Sequence, residues 1–190
     1  MLVDQAPERT AVLEQALREA GHEVLARIKP NADLYRHVHE LQPDLIIIDM
    51  ESPSTNTLEH MRSISRDLPR PVVLFTQDYG KETLQAAMRA GVSAYVVDGL
   101  SKERVESVLQ VAIARFDEYR RLKDELEKAK TSLAERKIIE RAKGILMKER
   151  SCSEEEAYQA LRKMAMDQNR RVADITKDLI TVIQLLTSTK

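Results

Sequence analysis

Apolar residues in the first hundred positions follow two spacings in turn. Short unbroken runs occur at positions 2–3, 24–26, 45–48, 72–75 and 94–97, as in strands that are buried on both faces of a parallel sheet. Between these runs, apolar residues recur every three or four positions, for example at Leu13 and Leu17, which is typical of amphipathic helices. Five strands that alternate with helices predict an α/β fold with a doubly wound parallel sheet over residues 1–104.

The pattern changes after residue 104 to a seven-residue repeat of apolar positions. Arg115 interrupts the repeat, with Phe116 beside it, and Gly144 is the only glycine between positions 101 and 150. About four heptads favour a coiled coil, and the polar residues elsewhere in 117–137 favour a coil between two copies over a helix packed on its own domain. We therefore predict a coiled-coil linker helix over residues 105–135 and a homodimer, and leave open whether the free protein is a monomer. The repeat consists of Val105, Val108, Ala112, Tyr119, Leu122, Leu126, Ala129 and Leu133.

Residues 136–190 are predicted to form a small three-helix bundle. The first helix continues from the linker to about Arg150, and the second begins after Ser153, which forms the S-x-x-E pattern of a capping box with Glu156. Helical spacing of Ala157, Leu161, Met164 and Ala165 gives the second helix an apolar face. The same spacing of Val172, Ile175, Leu179, Val182 and Leu186 defines the third helix.

Composition excludes several classes of protein. No run of about 18 apolar residues occurs, so no membrane span is expected, and Glu8 and Arg9 interrupt any signal peptide. Cys152 is the only cysteine, so no internal disulfide can form, and one thiol with four scattered histidines is no zinc site. These features favour a protein of the reducing cytoplasm.

Charge is distributed unevenly along the chain. Residues 1–100 contain 10 Lys and Arg against 15 Asp and Glu, whereas residues 101–190 contain 20 against 16. Residues 136–150 alone contain six basic and two acidic residues, and this basic stretch is a candidate for binding nucleic acid, although an ordinary solvated helix is the alternative. On a helical wheel, cations lie on both flanks of the apolar stripe, with Lys137, Arg141 and Lys148 on one flank and Arg136, Lys143 and Arg150 on the other.

Polar residues that could bind a ligand or take part in a reaction lie at the carboxyl ends of the predicted strands, where doubly wound folds place their functional sites. Asp4, Asp49, Thr76 and Asp98 occupy these positions, and their order resembles a response-regulator receiver domain, a flavodoxin-like (βα)5 fold, over residues 2–104. The resemblance implies that Asp49 is the phosphoryl acceptor position, Thr76 the phosphate-binding hydroxyl and Tyr95 the switch aromatic. In that family an acidic pair and the acceptor Asp hold Mg²⁺.

The chain departs from the receiver pattern at two places. The acidic pair reads Asp4-Gln5, so one carboxylate is missing, and the usual Lys-Pro reads Asp98-Gly99. An anion at position 98 would repel a phosphoryl group that a fixed cation should stabilise. We therefore expect Asp49 to be an unused acceptor position on a protein-binding platform, with no cofactor. Mg²⁺ at Asp4 and Asp49, and phosphorylation of Asp49, stay open. Only three residues precede Asp4, so either the first strand is short or the natural chain begins upstream.

The basic stretch and the helix that follows it resemble the ANTAR domain, an RNA-binding module, over about residues 133–185. The resemblance rests on A-K-G-I-L-M at 142–147, E-E-A at 155–157 and L-R at 161–162. It implies RNA contacts at Arg141, Lys143, Lys148, Arg162 and Arg171, with Lys137, Lys163 and Arg170 as weaker candidates. Tyr158 could stack on a loop base, but a tyrosine at the edge of the core is favoured.

Receiver, coil and ANTAR domain in this order are similar to the amidase-operon and nitrate-assimilation antiterminators, most of all to the NasT type. That resemblance rests on P-D-L-I-I-I-D-M-E-S-P, G-V-S-A-Y-V-V-D-G and E-R-K-I-I-E-R-A-K-G-I-L-M-K. It implies a dimer that binds paired hairpins in leader mRNA and is released by a ligand-sensing partner protein in response to nitrate or nitrite.

Two other functions compete with this hypothesis. The first is a phosphorylation-dependent response regulator with a DNA-binding output, but the third helix is mostly apolar and carries Asp174 and Asp178 rather than base-reading side chains. The second is a phosphohydrolase that uses Asp4, Asp49 and Asp98, which lacks a general base and a cation for the leaving group. We therefore expect no enzymatic activity.

Overall fold

The structure, a computed structural model, describes residues 1–4, 7–30, 32–98 and 102–187. The chain forms two compact units, Met1–Arg121 and Leu122–Lys190. Among the described residues, no helix combines the length and the apolar character that a bilayer-spanning segment needs.

The first unit is built on a five-stranded parallel sheet. Its strands are β1 (Leu2–Asp4), β2 (Arg27–Ile28), β3 (Ile46–Asp49), β4 (Val72–Thr76) and β5 (Ala94–Val97), in the order β2-β1-β3-β4-β5. The prediction of a doubly wound α/β sheet is confirmed, because helices cover both of its faces. The sequence predicts the second strand at 24–26, but the strand lies at Arg27–Ile28. There it forms an edge of the sheet and pairs with β1. The run at 24–26 is apolar for another reason, because Val24 and Ala26 pack against the core from the segment that precedes the strand.

Side chains of the central strands alternate between two hydrophobic cores, as the two-residue period of a strand requires. Ile46 and Ile48 face the core that also contains residues of α2 (Leu34–Leu41), α3 (Thr55–Asp67) and α4 (Lys81–Arg89). Ile47 faces the core that contains residues of α1 (Pro7–Glu19) and of the start of α5 (Lys102–Arg150). Burial on both faces explains why these strands appear in the sequence as unbroken apolar runs.

The start of α5 belongs to the first unit. Val105 and Ala112, two positions of the predicted coiled-coil repeat, are 1% and 0% exposed and pack in the core beside Leu109. The predicted boundary at residue 104 is therefore wrong, because the apolar face of this part of the helix is needed to cover the sheet. The later repeat positions are half exposed or more, with Tyr119 at 62%, Leu122 at 50%, Leu126 at 53% and Leu133 at 56%.

The second unit contains the remainder of α5 with α6 (Glu154–Asp167) and α7 (Val172–Thr187). Ala142 and Leu146 of α5 pack against Ala157 and Leu161 of α6 and Ile180 of α7. The predicted capping box is present, since the Ser153 hydroxyl accepts a hydrogen bond from the Glu156 amide at 3.3 Å and the Glu156 carboxylate accepts one from the Ser153 amide at 2.8 Å. These two bonds fix the start of α6. The side chain of Leu186 lies outside the described residues.

Candidate receiver site and nucleic-acid interface

The carboxyl edge of the sheet brings together the acidic residues that the sequence singled out. Asp4 ends β1 and Asp49 ends the neighbouring β3, and the two are register partners. Their burial is nearly complete, at 7% and 3% exposed. Thr76 ends β4, beside β3, and is fully buried. Two other positions of this site, Gln5 and Gly99, lie outside the described residues.

A cation that sequence reasoning missed contacts the first of these carboxylates. The Arg27 guanidinium donates from Nη2 at 2.7 Å and from Nε at 3.2 Å to Oδ2 of Asp4. The Arg27 side chain is 40% exposed, whereas that of Asp4 is 3% exposed. The sequence held no local signal for this pair, because Arg27 is 23 residues from Asp4 and lies outside the run 24–26 that was predicted as the strand.

The other receiver positions also make contacts within the domain. The Thr76 hydroxyl donates to the Glu51 carbonyl at 2.6 Å, and the Tyr95 hydroxyl donates to the Asp78 carbonyl at 2.7 Å. Burial, and then the negative charge of Asp78, raises the pKa of Tyr95, so its hydroxyl keeps the proton that it donates. The Tyr79 hydroxyl donates to the exposed Asp98 carboxylate. These contacts hold the Thr76 and Tyr95 hydroxyls in place without a phosphoryl group.

The residues at this edge fit a divalent cation poorly. Mg²⁺ requires oxygen ligands in a nearly ideal octahedron, but one of the two buried carboxylates at the edge is engaged by a guanidinium. The position of the second acid of the pair is occupied by Gln5. Within the described parts of the chain, no group of three or more His, Cys, Asp or Glu residues could hold a metal ion.

The cations predicted to bind RNA lie in the second unit, where seven of the eight are exposed, and five of those seven form no ion pair among the described residues. These are Lys137, Arg141 and Lys148 of α5 and Arg162 and Lys163 of α6. No carboxylate of the described residues forms an ion pair with any of them. On α5, Gly144 lies beside the three cations, and a Cβ atom added there would have no neighbour within 4 Å. One flank of the helix is therefore open as well as basic.

Lys143 differs from the prediction. Its ammonium donates to Glu140 at 2.7 Å and to Glu154 of α6 at 2.6 Å, and its side chain is only 10% exposed. The hydrogen bond to Glu140, followed by the one to Glu154, raises the pKa of Lys143, while Lys143 lowers the pKa of Glu154. Lys143 therefore links α5 to α6, with its charge already paired and its side chain largely covered.

Two further predicted contacts are engaged at the surface. Arg171 bonds to Asp174 at 3.0 Å and to Glu135 at 3.2 Å, and Arg170 bonds to Asp178 at 2.7 Å. Both lie on an open cleft of about 600 Å³ at the junction of α6 and α7. The residues that line this cleft are Arg162, Ala165, Met166, Asn169, Arg170, Arg171 and Val172. The lining of the cleft thus combines apolar and basic side chains.

Tyr158 is 38% exposed, which agrees with a tyrosine at the edge of the bundle. Cys152 is half-buried, and its thiol lies 3.7 Å from the Leu146 carbonyl oxygen. Neither side chain adds a chemical group to the basic flank.

Residues 1–110 match the family model of the response regulator receiver domain, and residues 127–180 match that of the ANTAR domain. The transcriptional regulatory protein PdtaR of Mycobacterium tuberculosis is 27% identical over 171 residues, which cover 88% of this chain and 83% of that protein. The nitrate regulatory protein of Klebsiella oxytoca is 40% identical over 85 residues, which cover 45% of this chain but only 22% of that protein.

Solved structures agree with the fold of the first unit. The signal receiver domain of a modulated diguanylate cyclase from Desulfovibrio desulfuricans has a TM-score of 0.53 at 20% identity, covering 61% of this chain and 93% of that one. A LuxR-family two-component response regulator from Aurantimonas has a TM-score of 0.51 at 27% identity, covering 60% of this chain and 83% of that one.

Proposed function

This chain belongs to the response regulator receiver family and carries an ANTAR domain behind its receiver, and from that premise we propose that it is a non-enzymatic, RNA-binding transcription antiterminator. The observation that carries the proposal is the open basic flank of α5, formed by Lys137, Arg141 and Lys148 around Gly144. Cations that have no carboxylate partner can neutralise phosphates and release their counterions, which supplies most of the affinity for nucleic acid.

RNA is favoured over DNA by the character of the last helix. A helix-turn-helix reader places a helix with base-reading side chains in the major groove. Helix α7 (Val172–Thr187) carries one basic residue, Lys177, and its Ile175 and Ile180 are buried in the bundle. Such a helix is suited to packing and not to reading a groove.

The cleft between α6 and α7 is suited to an unpaired loop nucleotide. Met166, which is 71% exposed, offers an apolar surface, and Arg162, which also lines the cleft, can stack on a base or contact a phosphate. Single-stranded loops, whose bases can be splayed out and stacked, are the usual targets of sequence-specific RNA recognition. We propose that this cleft receives a base from the loop of an RNA hairpin.

The exposed stripe of Tyr119, Leu122, Leu126 and Leu133 supports a second copy of the chain as partner. Its seven-residue spacing is that of a coiled-coil seam, and apolar side chains that are half exposed gain stability when a second helix covers them. A dimer would present two RNA-binding units, which suits a leader mRNA with two hairpins.

The first unit is proposed to be a platform for a regulatory protein partner, in the cytoplasm where leader RNA is made. The similarity to the nitrate regulatory protein of Klebsiella oxytoca supports nitrate or nitrite assimilation genes as the target. In this mechanism a ligand-sensing protein sequesters the antiterminator and releases it when the ligand binds.

Single-round transcription in vitro tests the proposal. The template carries a leader with two hairpins ahead of an intrinsic terminator, and full-length transcripts are counted with and without the purified protein. We expect readthrough to rise with protein, and to fall back when both hairpin loops are replaced. Readthrough that does not respond to the protein on any such leader would contradict the proposal.

A further inference from the structure

Two buried carboxylates lie side by side at the carboxyl edge of the sheet. Asp4 and Asp49 are register partners on neighbouring parallel strands, and such strands run about 5 Å apart. Each is less than a tenth exposed. Two anions this close in a poorly hydrated site repel each other, so a positive charge beside them stabilises the folded state.

Arg27 brings that charge from the neighbouring strand. It is the register partner of Leu2, and Leu2 and Asp4 point to the same side of β1 because they are two residues apart. The side chain of Arg27 reaches from the level of Leu2 to that of Asp4. Its guanidinium donates two hydrogen bonds, at 2.7 and 3.2 Å, to one carboxylate oxygen of Asp4. Arginine stays charged at every pH at which proteins fold, so this cation is permanent.

We propose that the guanidinium of Arg27 is a built-in counter-cation that replaces a divalent metal ion at the receiver edge, and that the receiver folds and functions without metal. The replacement of the second acid by Gln5 removes one of the carboxylates that a divalent cation would need.

The same geometry explains why a metal ion would be disfavoured. Mg²⁺ binds carboxylate oxygens at about 2.0–2.1 Å and retains several waters, and one oxygen of Asp4 already has two donors of a cationic group. A metal ion would have to displace the guanidinium or bind beside a like charge, and both cost free energy. The inference concerns the first unit and does not depend on what the second unit binds.

Metal titrations of the full chain test this. Melting temperatures are measured for the wild type and for Arg27→Gln in increasing MgCl₂, with isothermal titration calorimetry as an independent measure of binding. We expect the wild type to show no response. Arg27→Gln is expected to melt lower without metal and to gain on the order of 10 °C once Mg²⁺ reaches about a hundred times its Kd.

Arg36→Gln is the matched control, because Arg36 lies in the same unit and pairs with Glu40 at the surface. It should melt like the wild type and should ignore Mg²⁺. Saturable Mg²⁺ binding by the wild type, with a rise in melting temperature equal to that of Arg27→Gln, would overturn the proposal. An Arg27→Gln protein that folds but does not respond to Mg²⁺ would also overturn it.

If Arg27→Gln does not fold, Arg27→Lys takes its place. The lysine variant retains a cation without the planar fork, so we expect a lower melting temperature and still no response to Mg²⁺. Strong stabilisation of the lysine variant by Mg²⁺ would mean that a cation at position 27 does not keep the metal out, and would count against the proposal.

Discussion

The double variant Arg141→Gln/Lys148→Gln should weaken RNA binding by an amount that depends on salt. Both residues are exposed on the open flank of α5, and neither has an ion-pair partner among the described residues. Glutamine removes the charge but keeps a long polar side chain that favours helix, so the fold of the second unit should be unchanged.

The size of the effect follows from the number of predicted RNA contacts that are exposed and form no ion pair among the described residues. If these five cations of one unit each contact a phosphate, log K falls with log[salt] with a slope of roughly −3.5 to −4.5, since each contact contributes about 0.7 to 0.9. Between about 50 and about 200 mM salt the wild type should lose about 100- to 500-fold in affinity, and the double variant about 20- to 40-fold. The affinity of the wild type relative to the variant should therefore be about 10-fold greater at the lower salt than at the higher.

Fluorescence anisotropy with a labelled hairpin RNA, at four or more salt concentrations, measures both slopes. Lys143→Met is the matched control, because its ammonium is already held by Glu140 and Glu154. It should lower the melting temperature of the second unit while leaving the salt slope as in the wild type. The reasoning is refuted if Lys143→Met lowers the slope as much as a surface cation does, or if the double variant keeps the wild-type slope.

Three further predictions concern other parts of the chain. Leu161→Ala should destabilise the second unit by about 2–5 kcal/mol, because a fully buried side chain leaves a cavity; urea unfolding measures this, and a loss below about 1 kcal/mol would contradict the packing. The hydrogen bond from Lys143 lowers the pKa of Glu154 below its ordinary 4.5, so the stability from this pair is present above pH 4.5 and is lost as pH falls through the lower folded pKa; melting curves of Glu154→Gln should lack this acid-dependent loss. Asp49→Ala should leave regulated antitermination intact in a reporter assay, and a variant without output would favour phosphorylation.

The fold could be predicted from the sequence because its signals are local. Strands buried on both faces must be continuous in apolar residues, so Leu45–Ile48 and Val72–Phe75 indicate a parallel sheet without knowledge of their neighbours. The capping box at Ser153 depends on residues three apart, and it is formed as expected.

The parts that could not be predicted depend on distant partners. A helical wheel places Lys143 on a basic flank, but Glu154, 11 residues later, comes from another helix and covers it. Arg27 is 23 residues from Asp4, and only the order of the strands brings them together. The linker boundary was misplaced for a related reason, since Val105 and Ala112 fit a coiled-coil repeat and a domain core equally well.

The central claim, that the second unit binds RNA and that two copies are used, is tested most directly by one titration. The purified full chain is titrated with an RNA that carries two adjacent hairpins, with a single-hairpin RNA and with a DNA duplex of matched length, each at two salt concentrations. The account predicts tight, salt-sensitive binding to the double hairpin and much weaker binding to the other two. Equal affinity for all three, or a preference for the duplex DNA, would contradict it.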